Sequence, residues 1–210
     1  MSHNDTVIKI LDAAEQLFAE KGFAETSLRS ITAKAGVNLA AVNYHFGSKK
    51  SLIQAVFVRF LGPFYKLVEA SLDAHEKQNP GSILSPEDIL KFVARGMASV
   101  TNGDRGRLAI FMRLLGLAYN QGQGHLRKFL KTEYTSLYIR VMDLIAKATP
   151  ELNPVERYWR FHFMLGAAAF TLSSMEHLRA IVEYEFETSC TEEEVVGYLL
   201  PFLAAGIRAS

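Results

Sequence analysis

Between Thr26 and Lys49 the chain gathers the side chains best suited to non-covalent chemistry: Arg29, Asn38, Asn43, Tyr44, His45 and Lys49. They supply guanidinium, carboxamide, phenol, imidazole and ammonium donors. The stretch 26–60 has no Asp or Glu, against Arg29, Lys34, Lys49, Lys50 and Arg59. Without a carboxylate it holds no general acid–base pair. The chemistry on offer is anion binding, and a phosphate backbone fits it because each phosphate neutralised releases condensed counterions. Asn43 can in addition pair through its carboxamide with adenine N6 and N7 at once, or simply contact phosphate or water. His45 has no second His, Cys or carboxylate three or four residues along to share an ion. Neither a metal nor a cofactor is expected.

These groups need rigid elements, and the spacing of apolar residues predicts helices. Val7, Leu11, Ala14 and Phe18 recur at helical steps, and Gly22 after Lys21 reads as a stop, so a first helix covers about 5–21. Thr26 and Ser27 are capping residues before Leu28, Ile31 and Ala35, with Gly36 suited to a left-handed terminus. Asn38 then caps a third helix whose inner face is Leu39, Val42 and Phe46, which turns Ala40, Ala41, Asn43 and Tyr44 outward. Gly47 ends it and Ser48 caps a fourth. Gly62-Pro63 is expected to kink or break that fourth helix, because proline lacks the amide hydrogen and clashes with the preceding turn. The segment 77–85 reads as a loop and 101–104 as a break. Helices follow at about 86–100, 106–119, 124–148, from Pro154 to about 179, and from Thr191 onward. Sustained period-two alternation is missing, so the chain reads as all-α.

The 210 residues carry a formal charge of only +1, yet residues 1–25 hold two lysines against five acids before the basic stretch begins. One cysteine, Cys190, excludes a disulfide framework within the chain and fits a reducing cytoplasm. The opening MSHNDTVIKIL is polar and then amphipathic, unlike a secretory signal. The strongest apolar run, 163–172, is far short of the roughly 20 residues that span a bilayer. A cytoplasmic protein without a membrane partner is expected. No nucleophile elbow or phosphate loop emerges: Gly122-Gln-Gly124 only starts a dinucleotide fingerprint, with Arg127 where a glycine belongs and no strand before it. An enzyme is therefore not expected.

Two short helices joined at Gly36-Val37 and preceded by a supporting helix form a helix-turn-helix pattern. Residues 11–57, LDAAEQLFAEKGFAETSLRSITAKAGVNLAAVNYHFGSKKSLIQAVF, resemble the DNA-binding domain of the TetR family. The match runs through the turn glycine, Gly22-Phe23 and the run Tyr44-His45-Phe46-Gly47-Ser48-Lys49. The resemblance implies an N-terminal three-helix domain, 1–50, that binds double-stranded operator DNA. A larger helical domain, 51–210, would bind an effector and form a homodimer through its last two long helices. It places Thr26, Ser27, Arg29 and Asn38 at the duplex, Leu39, Ala40 and Ala41 at the base-facing start of the reading helix, and Tyr44, His45 and Lys49 at phosphates. Asn43 departs from the pattern, since many relatives carry tyrosine there.

In the larger half, aromatic and aliphatic residues are mostly core filler. The resemblance implies an apolar effector cavity lined by Phe111, Met112, Leu115, Trp159, Phe163 and Phe170, with Phe129, Tyr138 and Met164 beside them. The stretches IFMRLLGLAY, QGHLRKFL and HFMLGAAAF resemble fatty-acid-responsive members of the family. On that ground the effector is a long-chain fatty acid or acyl-CoA, with Arg113 or His162 as donor to its head group, and the regulated genes serve fatty acid metabolism. An unrelated hydrophobic compound such as a drug remains the alternative. The expected action is repression relieved by the effector.

Overall fold

Local caps set the first helices. A computed structural model of the chain describes residues 3–101, 104–120 and 124–208, which are all-α: ten helices and no strand among the described residues. Helix α1 runs His3–Glu25 but is interrupted at Gly22 (φ 81°, ψ 168°), a backbone conformation that suits glycine. Helices α2 (Leu28–Ala35) and α3 (Leu39–Phe46) follow, then α4 (Lys49–Gln78), α5 (Pro86–Val100), α6 (Arg105–Asn120), α7 (Gly124–Ala148), α8 (Pro154–Ser173), α9 (Met175–Phe186) and α10 (Glu192–Arg208).

Two expectations change. Of the kink or break expected at Gly62-Pro63, the break does not occur: helix α4 continues through Pro63. The ring lies at the exposed side, and burial of Phe60 before it and Val68 after it offsets the missing hydrogen bond, about 3 kcal/mol in an unsupported helix interior. The helix expected to reach 179 instead ends at Ser173, and Ser174 leaves helical geometry (φ −114°, ψ 12°) before α9 begins. There the Ser174 amide makes the last helical bond, to the Phe170 carbonyl, and the Ser173 hydroxyl donates to that same carbonyl, a local side-chain bond that competes with continuing the helix. Positions 102–103 and 121–123, which include most of the predicted break and Gly122 of the partial fingerprint, lie outside the described residues.

The chain divides into two compact units. The first combines Met1–Pro63 with Ile110–Glu133. Its core is aromatic: Phe18 meets Phe23 (5.4 Å), Phe23 meets Phe57 (6.3 Å), and Phe111 of α6 stacks on Phe60 (4.9 Å) and edges Phe57 (6.3 Å). Arg59 of α4 bonds Asp12 (2.6 Å) and the buried Glu15 (2.9 Å), fixing α4 against α1.

The second unit, Phe64–Ala109 with Tyr134–Ser210, packs Val68, Leu72, Leu84, Ile89, Leu137, Ile145 and Ile207 into one cluster and Leu90, Leu203 and Ala204 into another. Gly96 lets α5 approach α4, since a Cβ there would sit 2.7 Å from a Val68 methyl. Arg140 gathers Glu69, Asp73 and Glu76. By length and composition α4 is apolar enough to cross a membrane. Its burial of Leu52, Val56, Phe57 and Phe60 in the first unit, and of Val68 and Leu72 in the second, is that of a core helix.

Candidate nucleic-acid interface

Two capped termini position the site. At α2, the Ser27 hydroxyl accepts from the Ser30 amide (3.0 Å) while the Ser30 hydroxyl accepts from the Ser27 amide (3.2 Å). Gly36 closes α2 in the left-handed region (φ 65°). Asn38 then caps α3, its Oδ1 accepting from the Ala41 amide at 2.8 Å. The turn between α2 and α3 is thereby fixed at both ends, and Val42 alone anchors α3 with full burial.

The remaining face of α3 turns outward. Leu39, expected on the inner face, is instead exposed beside Ala40, Asn43 and Tyr44, the last at 78%, whereas Ala41, expected outward, is half-buried, because Val42 alone supplies the inner anchor. Arg29 is exposed on α2. His45 is half-buried, with its ring edge-on to Tyr44 at 5.1 Å. Lys49 opens α4, its ammonium donating to the Ala24 carbonyl at 3.1 Å, so one cation both ties α4 to the end of α1 and lies at the surface. Thr26 has a different place. It is fully buried, and its hydroxyl donates to the carbonyls of Leu17 (3.0 Å) and Gly22 (2.8 Å), bracing the entry to α2 from within. Leu39 to Lys49 thus combine an apolar edge, a carboxamide and a phenol on one short helix with a lysine at the next helix start. Such a surface offers donors to anions and flat contact to bases.

The residues assigned to an effector are distributed over both units. Phe111 and Met112 are buried in the first, where Phe111 is part of the aromatic core; Leu115 is half-buried and Arg113 exposed on the same helix. Trp159, Phe163 and Phe170 lie on α8 in the second unit at helical spacing, exposed at 54, 66 and 62%. Trp159 stacks on Phe163 (5.9 Å), and His162, half-buried, lies over the Tyr158 ring (4.1 Å) with Nδ1 at 2.8 Å from the Tyr158 carbonyl. Tyr198 and Phe202 of α10 are equally exposed. A cleft of about 560 Å³ in the second unit is lined elsewhere, by residues such as Leu72, His75, Leu84, Arg140 and Leu144. Nothing in the sequence pattern signals that α6 from Ile110 onward and the start of α7 belong to the unit that carries the helix-turn-helix.

Comparison with known proteins agrees with this anatomy. The family profile "Bacterial regulatory proteins, tetR family" matches residues 10–56, and "Tetracyclin repressor-like, C-terminal domain" matches 92–206. The HTH-type transcriptional repressor KstR2 of Rhodococcus jostii is 34% identical over 70 residues, 31% of this chain and 34% of that protein. The first curated relatives are matched over only 25 to 34% of their length. Among solved structures, a TetR-like transcriptional regulator from Rhodococcus sp. RHA1 shares the fold at 20% identity, covering 96% of this chain and 93% of that one with a TM-score of 0.59. The fatty acid degradation regulator FadR from Bacillus halodurans shares it at 18% identity over 96% of both chains, TM-score 0.50. With a C-terminal profile spanning more than half of its length and an N-terminal one over the helix-turn-helix, the chain belongs to the TetR family of helix-turn-helix transcriptional regulators.

Proposed function

We propose that the chain is a sequence-specific, cytoplasmic DNA-binding repressor, released from double-stranded operator DNA by a small apolar effector. The observation that carries this reading is α3: a short, doubly capped helix that presents Ala40, Asn43 and Tyr44 outward from an acid-free segment. Small alanines allow close approach to a groove, Asn43 reads adenine, and Tyr44, His45, Arg29 and Lys49 hold phosphates. Ser27, Asn38 and Thr26 act through the geometry of the turn. Residues 1–50 contact DNA and 51–210 carry effector binding and dimerisation.

Two copies are needed to read two half-sites. The outward stripe Trp159, Phe163 and Phe170 on α8, with Tyr198 and Phe202 on α10, suits a second copy of the chain, because large apolar patches seldom stay in water. Used so, the stripe no longer serves the effector, leaving α6 and His162 as the residues to test. In the dimer the recognition helices must sit roughly 34–36 Å apart, or a multiple of that, to enter successive major grooves. An effector that binds better to a dimer of different spacing draws the population off DNA. Helix α4 is the member whose tilt alters that spacing.

A long-chain fatty acid or acyl-CoA is the effector favoured here, with fatty acid metabolism genes as targets. The support is the resemblance of 110–119, 123–130 and 162–170 to the PsrA type of regulator, and the shared fold of FadR is compatible with it. A mobility-shift titration tests it, using a duplex recovered by the protein from a randomised pool. Oleate and oleoyl-CoA should release that duplex at concentrations where octanoate does not. Retention of the duplex across all chain lengths contradicts the fatty-acid assignment and leaves a different hydrophobic effector.

A further inference from the structure

The chain contains a second acid-free segment. From position 105 to position 132 there is no Asp or Glu, against six arginines and lysines. The part from Ile110 onward belongs to the same compact unit as the helix-turn-helix, although more than forty residues of chain separate the two basic segments. That unit holds eleven lysines and arginines against six acids, while the other holds twelve against sixteen. The near-neutral total of +1 therefore conceals a basic unit of +5 and an acidic one of −4.

The start of α7 shows where part of this charge is displayed. Leu126 is fully buried, with Phe129 and Leu130 half-buried, which fixes the inner face of the helix. At roughly 100° per residue, Arg127, Lys131 and Lys128 follow on the opposite side within one quadrant or so. All three are exposed, and among the described residues none has an ion-pair partner. Lys50, on the first turn of α4 and next in sequence to Lys49, lies close enough to His125 of α7 to disfavour a charge on that imidazole. His125 and Lys128 are i,i+3 neighbours on α7. Exposed Lys50 at the first turn of α4 and the exposed basic side of α7 thus belong to one compact unit.

We propose that Arg127, Lys128 and Lys131 form a second DNA-backbone contact, engaging phosphates beside the segment that α3 reads. This rests on the reading of the chain as a DNA-binding protein. The surface contributes affinity and register and carries no base information, since charged side chains on phosphate distinguish no sequence. It also accounts for a basic face on a helix that the effector-binding function does not require.

The test uses the full chain, a duplex recovered by it from a randomised pool, and a scrambled duplex of the same length. Affinities are measured over about 50 to 200 mM salt, where phosphate contacts dominate the dependence. The expected result for the double variant R127Q/K128Q is an equal fold-loss on both duplexes. Its log–log salt slope should be shallower by about 0.9 for each phosphate no longer neutralised. The reversal R127E/K128E should deepen the loss, and unfolding temperatures should match the parent because both positions are exposed. An unchanged slope and affinity, with the parent still selective, overturns the α7 contact and leaves the DNA-binding reading standing. So does a loss confined to particular base positions, which phosphate contacts do not produce. If the parent recovers no duplex at all, both readings fall together.

Discussion

In the proposed reading, sequence discrimination turns on Asn43. It projects from α3 with its neighbours Ala40 and Tyr44 exposed and its own backbone carbonyl accepting the Gly47 amide (2.9 Å), so the side chain is free of any role in the cap. Replacing it by alanine should remove discrimination at one adenine position, about 1–3 kcal/mol, and leave other positions unaffected. A base-by-base scan of the duplex checks this, and an equal loss at every position would make Asn43 a phosphate contact. A second residue of the same unit gives a pH prediction. His125 is held below its ordinary value of 6.5 by partial burial and then by Lys50, and its Nε2 has no hydrogen-bond partner. A depressed imidazole binds fewer protons folded than unfolded, so its contribution is present above pH 6.5 and is lost as pH falls through the folded value. The melting temperature of the parent should drop more than that of His125→Gln between about pH 7 and 5. Parallel curves would assign the acid sensitivity to other groups.

At the scale of elements, the caps determine whether α3 forms in the right register. The Asn38 side chain satisfies an otherwise unpaired amide at a helix of only eight residues, too short to be stable alone. Asn38→Ala should cost about 0.5–2 kcal/mol of stability by denaturant titration and weaken DNA binding on every sequence alike. Such caps are local, which is why Ser27, Gly36, Asn38 and Gly47 are legible in the sequence, as are the Pro86 and Pro154 starts of α5 and α8. The departures are equally physical. Proline at 63 signals a break only when nothing else holds the helix, and the burial of Phe60 and Val68 is a tertiary fact invisible in the local pattern. The end of α8 at Ser173 coincides with the Ser173 hydroxyl bonding back to the Phe170 carbonyl and with Ser174 leaving helical geometry. Within the site, exposure of Asn43 and Tyr44 follows from periodicity. The inward turn of the Thr26 hydroxyl to Leu17 does not, because that contact reaches nine residues back along the chain.

For the whole molecule, the charge is partitioned between the units while the sum stays near zero, and apolar aromatic surface is concentrated on α8 and α10. Both features are in keeping with the proposed dimer and the proposed DNA contact. Phe111 illustrates how far the large-scale organisation exceeds what spacing reveals. The family resemblance implies a cavity role for it, and its stacking on Phe60 in the core that supports the helix-turn-helix is a tertiary contact that spacing does not reveal. The central claim, that this chain reads DNA sequence through α3, is tested most directly by the ratio of its affinities for a recovered palindromic duplex and a scrambled one at physiological salt. A ratio of about 10³ or more, collapsing when Ala40 and Asn43 are replaced together by glutamate, is the predicted result. Equal, weak and strongly salt-dependent binding to both duplexes would contradict it.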